Sequence, residues 1–97
     1  MYKSLNAILH APLRLSIVSL LMGVEEAEFV FLKEKTNATA GNLSLQLNQL
    51  NEAGYVSIKK KFKGNYPVTL CKLTPKGKKA FNEYVSALKQ ILPNLES

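Results

Sequence analysis

The stretch TAGNLSLQLNQLNEAGYVSIKKKFK, residues 39–63, decides how this chain folds. Within it, residues 40–53 carry Leu43, Leu47 and Leu50 at spacings of four and three. That spacing places the three leucines in one narrow seam along a helix, with polar side chains around most of the remaining surface. The sequence therefore predicts a helix that packs on a core through a single seam.

A glycine and a lysine-rich hairpin follow this helix. Gly54 is predicted to end it in the left-handed conformation, and the alternation of residues 55–62 predicts a strand. Residues 63–67 predict a turn, and residues 68–73 predict a second strand that pairs with the first.

Two helices are predicted near the start of the chain. Leu5, Ile8 and Leu9 recur at helical spacing and predict a short first helix that stops before Pro12. Pro12 suits the first position of a second, core-facing helix, which we expect to close at Gly23.

The remaining segments complete the expected fold. Residues 24–28 predict a connector, residues 29–36 a brief helix, and residues 36–39 a tight turn that leads into the leucine-seam helix. Thr74 is predicted to cap a last helix over residues 75–97. Together these elements predict one mostly helical domain of the α+β class over the whole chain.

Charge is distributed unevenly along the chain. Its 97 residues have a net charge of +6 and a pI near 9.6. Residues 1–54 carry four basic and five acidic side chains, whereas residues 55–97 carry nine and two. Eight lysines and no acid lie between Lys59 and Lys79. Such a patch repels itself and favours a polyanion, although a solubilising face explains it equally well on charge alone.

The two short helices over residues 29–53, with the turn between them, have the layout of a helix-turn-helix. In such units the second helix enters the major groove of DNA. A helical projection places Gly41, Leu45, Asn48 and Glu52 opposite the leucine seam. Amide side chains can pair with adenine, and an exposed leucine can contact a thymine methyl group. Exposed Asn and Gln are also common on helices that make no contact with DNA.

This second helix cannot supply phosphate contacts. Between residues 36 and 57 the only charged side chain is Glu52, and phosphate contacts dominate affinity for DNA. The hairpin and the helix cap must therefore provide them. The candidates for backbone contacts are Thr39, Lys59, Lys60, Lys61, Lys63 and Asn65. Lys76, Lys78 and Lys79 either add to this set or serve only solubility.

Several motifs together resemble the small winged-helix transcriptional regulators of the MarR/ArsR-like group. They are PLRLSIVSLL over residues 12–21, FVFLKE over residues 29–34, TAGNLS and AGYV at the two ends of residues 39–56, Pro67 with Thr69, and LTPKG over residues 73–77. The resemblance covers nearly the whole chain. It implies a winged helix-turn-helix with a three-helix core, a two-stranded wing over residues 59–67 and a long C-terminal helix.

The resemblance also implies a function and its residues. It implies a homodimer that binds double-stranded DNA at pseudo-palindromic sites and regulates transcription. The implied base-reading set on the recognition helix, residues 40–53, is Asn42, Ser44, Leu45, Gln46, Asn48 and Gln49. The first and last helices usually form the dimer interface in this group, which here implies Leu5, Leu9, Tyr84, Leu88, Ile91 and Leu92.

The residue inventory argues against several other sites. The chain has one cysteine, Cys71, one histidine, His10, and no aspartate, so we predict no disulfide, metal site, cofactor or catalytic nucleophile–base pair. Cys71 fits a small apolar strand residue better than a redox switch. Longer MarR proteins form an effector pocket with extra helices that this chain lacks, so the resemblance leaves any effector undefined.

Two other functions stay open. A winged helix can also serve as a protein-interaction module without DNA binding, in which the apolar stripe of the last helix holds a different partner. RNA binding is a weaker alternative, because exposed aromatics for stacking are few beyond Tyr66. The apolar run over residues 17–22 is too short to span a bilayer, and no signal-peptide layout is visible, so we expect a cytoplasmic protein without a membrane partner.

Overall fold

Four helices and a three-stranded sheet make up the fold in the computed structural model, which describes residues 5–92. In chain order the elements are α1 (Pro12–Met22), β1 (Ala27–Glu28), α2 (Phe29–Thr36), α3 (Ala40–Glu52), β2 (Val56–Lys63), β3 (Tyr66–Leu73) and α4 (Pro75–Ile91). The mostly helical α+β arrangement confirms the predicted fold class. The last five positions of the predicted C-terminal helix lie outside the described residues.

Side-chain caps fix where α3 and α4 begin. The Thr39 hydroxyl accepts a hydrogen bond from the N–H of Asn42 at 3.2 Å, and the Thr74 hydroxyl accepts one from the N–H of Gly77 at 3.0 Å. Each bond satisfies a backbone donor that the first turn of a helix leaves unpaired. Pro75 occupies the first helical position of α4, where its missing N–H costs nothing.

Left-handed residues precede and follow α3. Asn37, with a φ of 58°, makes the tight turn between α2 and α3, and Gly54, with a φ of 82°, ends α3. Both positions agree with the sequence-based prediction. The helix-turn-helix is therefore set by residues that tolerate a conformation most side chains avoid.

The sheet has one strand more than the sequence predicts. Residues 24–28 are predicted as a connector, but β1 lies within them and pairs antiparallel with β3 through Ala27↔Cys71 and Glu28↔Leu70. The strand order is β1-β3-β2. Two residues are too few to show an alternating pattern, so only the pairing with β3 identifies this strand.

The hairpin is longer and its turn tighter than predicted. The turn consists of Gly64, with a φ of 65°, and Asn65, so that β3 begins at Tyr66 and includes Pro67. The sequence predicts Pro67 within the turn, and a proline has no N–H to donate to a neighbouring strand. It is tolerated in β3 because β1 pairs only nearer the core, which leaves β2 as the sole strand beside Pro67.

Residues 5–11 form a turn, so the predicted first helix is wrong over this part of the chain. The Asn6 side-chain oxygen accepts hydrogen bonds from the N–H groups of Ile8 at 2.8 Å and Leu9 at 3.2 Å. Its amide nitrogen donates to the Tyr55 hydroxyl at 2.8 Å. A local side-chain bond of this kind competes with the helix, which periodicity alone does not reveal.

The core is continuous and apolar. All three leucines of the α3 seam are buried, which confirms the predicted seam. Among the described residues no polar or charged side chain is buried. The fully buried side chains are Leu9, Ile17, Val18, Leu21, Leu32, Leu43, Leu50 and Cys71, each with no exposed surface.

The first turn of α4 packs unusually close to the rest of the molecule. The Tyr55 carbonyl accepts a hydrogen bond from the N–H of Thr74 at 2.9 Å, and the Thr74 hydroxyl donates to the Gly54 carbonyl at 2.6 Å. A Cβ added at Gly77 would lie 2.7 Å from the Leu73 Cδ1 atom and would also overlap the Tyr55 carbonyl. Only glycine fits where α4 crosses the start of β2.

We expect Gly77→Ala to lower the free energy of unfolding by at least about 1–3 kcal/mol, the usual cost of overpacking. Gly41→Ala is the matched control, because a Cβ at Gly41 meets nothing within 4 Å. That control should leave stability unchanged or raise it by up to about 1 kcal/mol through helix propensity. Urea unfolding followed by circular dichroism measures both, and equal stabilities for the two variants would contradict the assignment.

Candidate nucleic-acid interface

One face of α3 is open to solvent and carries uncharged polar groups. Asn42, Ser44, Leu45 and Asn48 are all exposed, and the helical projection predicts this for Leu45 and Asn48, which it places opposite the leucine seam. Leu45 is 53% exposed, so its side chain has no partner within the described part of the subunit that would bury it. The face therefore offers two amides, a hydroxyl and a large apolar group to whatever lies against it.

Gln46 and Gln49 lie elsewhere on α3. Both are half-buried, and their Oε1 atoms accept hydrogen bonds from Arg14 Nη1 at 2.6 and 2.7 Å. A guanidinium can only donate, so both oxygens must face Arg14. The bidentate pairing of an amide with adenine needs its oxygen and its nitrogen together. In this arrangement neither glutamine has its oxygen free for a base.

Arg14 is a positioning residue of this site that the sequence reasoning did not single out. Besides the two glutamines, its Nε donates to the Ile8 carbonyl at 2.6 Å, so one side chain joins α1, α3 and the N-terminal turn. Gln46 Nε2 in turn donates to Asn42 Oδ1 at 3.0 Å and extends the network to the exposed face. The sequence did offer one sign of this role: Arg14 is the one arginine of the chain, and α3 has no cation of its own.

Strand alternation divides the wing lysines between two faces. Successive side chains of a strand point to opposite sides, and Val56 and Ile58 of β2 point to the core. Lys60 lies two residues further along the same side, and it lines a groove of about 310 Å³ with Ser44 and Asn48. The lysines on the opposite, outer side of β2 are Lys59, Lys61 and Lys63.

The other predicted backbone contacts are accessible. Asn65 lies exposed in the hairpin turn. The Thr39 hydroxyl is exposed and accepts the cap bond from Asn42, which leaves its own hydrogen free for an acceptor such as a phosphate oxygen. Lys76 lies near the other end of α3, with its Nζ 5.8 Å from the centre of the Tyr55 ring.

Two aromatic side chains near the wing tip are exposed. Phe62, which the sequence reasoning did not single out, is 73% exposed, and Tyr66 is 77% exposed. They lie on opposite faces of the hairpin, because Phe62 pairs with Pro67 and Tyr66 pairs with Lys63.

Cys71 and His10 do not form a reactive site. Cys71 has no exposed surface, and burial raises the pKa of its thiol from 9.0 to about 11. His10 Nδ1 lies 2.9 Å from the Tyr84 hydroxyl. Within residues 5–92 no group of three or more His, Cys, Asp or Glu side chains could hold a metal ion. No helix in that range is long and apolar enough to cross a membrane.

Comparison with known proteins agrees with this geometry. The sequence profile of the winged helix DNA-binding domain matches residues 13–92, so the chain belongs to that family. It is 40% identical over 89 residues to the uncharacterized protein MJ0432 of Methanocaldococcus jannaschii, covering 92% of this chain and 97% of that one.

Solved structures show the same fold. A transcriptional regulator homologue from Pyrococcus horikoshii superposes with a TM-score of 0.85 at 28% identity, over 93% of this chain and 89% of that chain. Bacillus subtilis PadR in complex with operator DNA superposes with a TM-score of 0.69 at 17% identity, over 77% of this chain and 48% of that chain. The likeness to PadR concerns the fold alone.

Removing the guanidinium should loosen α3. We expect Arg14→Met to lower the free energy of unfolding by about 1–3 kcal/mol, because it leaves three half-buried oxygens without their charged donor. Arg14→Lys should recover only part of this, since one ammonium does not reproduce the planar fork. Lys33→Met is the control, as it removes an exposed cation from α2. Urea unfolding measures the losses, and equal stabilities for Arg14→Met and the control would contradict the role.

The Cys71 thiol should be inert in the folded protein and should link stability to alkaline pH. Its pKa is raised above the unfolded value of 9.0, so its contribution to stability is complete below pH 9 and is lost as the pH rises toward about 11. Cys71→Ala should show a shallower loss of stability over that range. Alkylation by iodoacetamide at pH 8 should require urea, and rapid labelling without urea would contradict the burial.

Proposed function

We propose that this winged-helix protein regulates transcription and reads sequence by placing α3 in the major groove of double-stranded DNA, with the β2–β3 wing on the adjacent backbone or minor groove. The family and the regulator structures support a DNA-binding regulator. The observation that carries the proposal is that an uncharged, hydrogen-bonding face of α3 and the cation of Lys60 open onto the same groove.

Base reading is assigned to the exposed face of α3. Asn48 offers an amide suited to adenine, Ser44 offers a hydroxyl that suits either partner, and Leu45 offers an apolar contact for a thymine methyl. Asn42 offers its amide N–H groups, because its Oδ1 already accepts a hydrogen bond from Gln46 Nε2. Gln46 and Gln49, which the family resemblance also implied, act instead through Arg14 as anchors that fix the angle of α3.

Backbone contacts are assigned to the groups nearest that face. Lys60, Asn65 and Thr39 would hold phosphates on either side of α3, and they position the protein without reading bases. About one or two cations per subunit on this side would give a dimer a salt slope of about −2 to −4. The affinity for any one sequence is therefore expected to be modest and to depend on base contacts.

A homodimer completes the proposal. Leu92, at the end of α4, is 46% exposed, and Leu5, Leu88 and Ile91 are half-buried. These four offer apolar surface to a second copy. Leu9 and Tyr84 are buried within the subunit, so they would lie in the core behind the proposed interface and not in direct contact with a second copy. A two-fold dimer would place two α3 helices on half-sites about 34 Å apart.

Selection of bound sequences from a random duplex pool tests the function directly. The expected result is an enriched pair of inverted half-sites about one helical turn apart, bound more weakly as salt increases. Binding that is absent at low salt, or indifferent to salt, would instead favour the protein-interaction module. A single enriched half-site would support reading by α3 but contradict the dimer.

Asn48→Ala should relax base preference at one position of each half-site by about 1–3 kcal/mol, because it removes a bidentate contact. Asn51→Ala is the matched control, since Asn51 is exposed in the last turn of the same helix. Fluorescence anisotropy against single-base variants of the selected site measures the preference. Equal profiles for the two variants would contradict the assignment of Asn48.

A further inference from the structure

We propose that the outer face of the sheet binds the backbone of a second DNA duplex, so that the protein can bridge two duplexes. The inference rests on the proposed function, because α3 must hold the first duplex. The surface consists of four lysines, the outer lysine row: Lys59, Lys61, Lys63 and Lys72.

Register places these four side chains on one face. Lys59, Lys61 and Lys63 alternate along β2, and they pair across the hairpin with Leu70, Val68 and Tyr66 respectively. Lys72 of β3 pairs with Ser57, so it falls on the same face at the base of the hairpin. All four lysines are exposed. The half-buried Val68 and Leu70 lie between them and give the lysine stems an apolar bed.

The outer lysine row faces away from α3. Lys60, between Lys59 and Lys61 in sequence, points to the α3 side, so its two neighbours must point to the other. DNA has a persistence length of about 150 bp, so a duplex seated against α3 does not fold back onto the opposite face of the same sheet. The outer row is thus left to a different polyanion or to a distant part of the same one.

The shape and charge of the face fit a duplex backbone. From Lys59 to Lys63 the strand extends about 13 Å, at about 3.3 Å per residue. Duplex DNA carries one charge per about 1.7 Å of axis, so the row lies along several phosphates at once. The face is limited on the β1 side by Glu26 and Glu28, which line one groove with Lys61 and Lys63, and the Glu28 carboxylate lies 3.7 Å from Lys63 Nζ. The positive area is therefore directed along β2 and toward Lys72.

DNA is the favoured occupant because of its local concentration. A face with three or four exposed lysines binds any polyanion weakly and in a salt-dependent manner. Once α3 is bound, neighbouring DNA segments are present at a high effective concentration, which turns a weak second contact into a productive one. RNA and anionic membranes have the same charge but lack this advantage.

A two-duplex capture assay tests the proposal. One duplex is immobilised on beads, the full-length protein is bound to saturation at low salt, and capture of a second, fluorescent duplex is measured. The decisive variants are Lys61→Glu and Lys60→Glu, adjacent residues with the same charge change on opposite faces. Thermal unfolding of each variant checks that the fold is kept.

We expect the two variants to differ in which binding step they weaken. Lys61→Glu should reduce second-duplex capture at least fivefold while lowering the affinity for a single duplex less than Lys60→Glu does, and Lys59→Glu/Lys61→Glu should abolish capture. Lys60→Glu should weaken the single-duplex affinity itself. Equal loss of single-duplex affinity in both variants would overturn the proposal, since the outer row would then touch the first duplex.

The same assay distinguishes failure of the second-duplex contact from failure of the proposed function. Saturated beads that capture no second duplex would overturn the proposal while leaving the proposed function intact, whereas failure to bind the first duplex would overturn the function. Stronger capture of an RNA duplex, or of phosphatidylserine vesicles, than of DNA would overturn the choice of occupant.

Discussion

The narrow leucine seam of α3 is the constraint on which the rest of the structure depends. It is the only large apolar surface that the inward side of the helix possesses, so burying it fixes the rotation of α3 about its own axis. Leu43, Leu47 and Leu50 point inward, and the opposite side, with Asn48 and the exposed Leu45, must then point outward. The proposed reading face is a consequence of core packing.

Hydrophobic packing alone leaves the tilt of α3 loosely defined, and polar links complete the positioning. Arg14 ties two of its side chains to α1 and to the N-terminal turn. Thr74 holds the end of α3 to the start of α4 through the Gly54 carbonyl. Each link joins segments far apart in sequence, so α3, which has no charges of its own in its first three turns, is held at its middle and at its C-terminal end.

Side-chain direction also divides the lysines of the wing between two surfaces. Lysines that are consecutive in sequence point to opposite sides of β2, so one run of positive charge forms two surfaces. The side that carries Lys60 belongs with α3. The outer side is a distinct basic face, and the proposed contact with a second duplex rests on it.

Helices α1 to α4, the left-handed positions at Asn37 and Gly54, the hairpin and the buried seam can all be predicted from the sequence. These depend on local periodicity and on residues with restricted or permissive backbones, which are legible in a short window. Tertiary contacts were needed to identify the two-residue β1, the non-helical residues 5–11, the orientation of Gln46 and Gln49 toward Arg14, and the division of the lysines between two faces. Each of these depends on a partner distant in sequence or on strand register, and a short window of sequence reveals neither the partner nor the register.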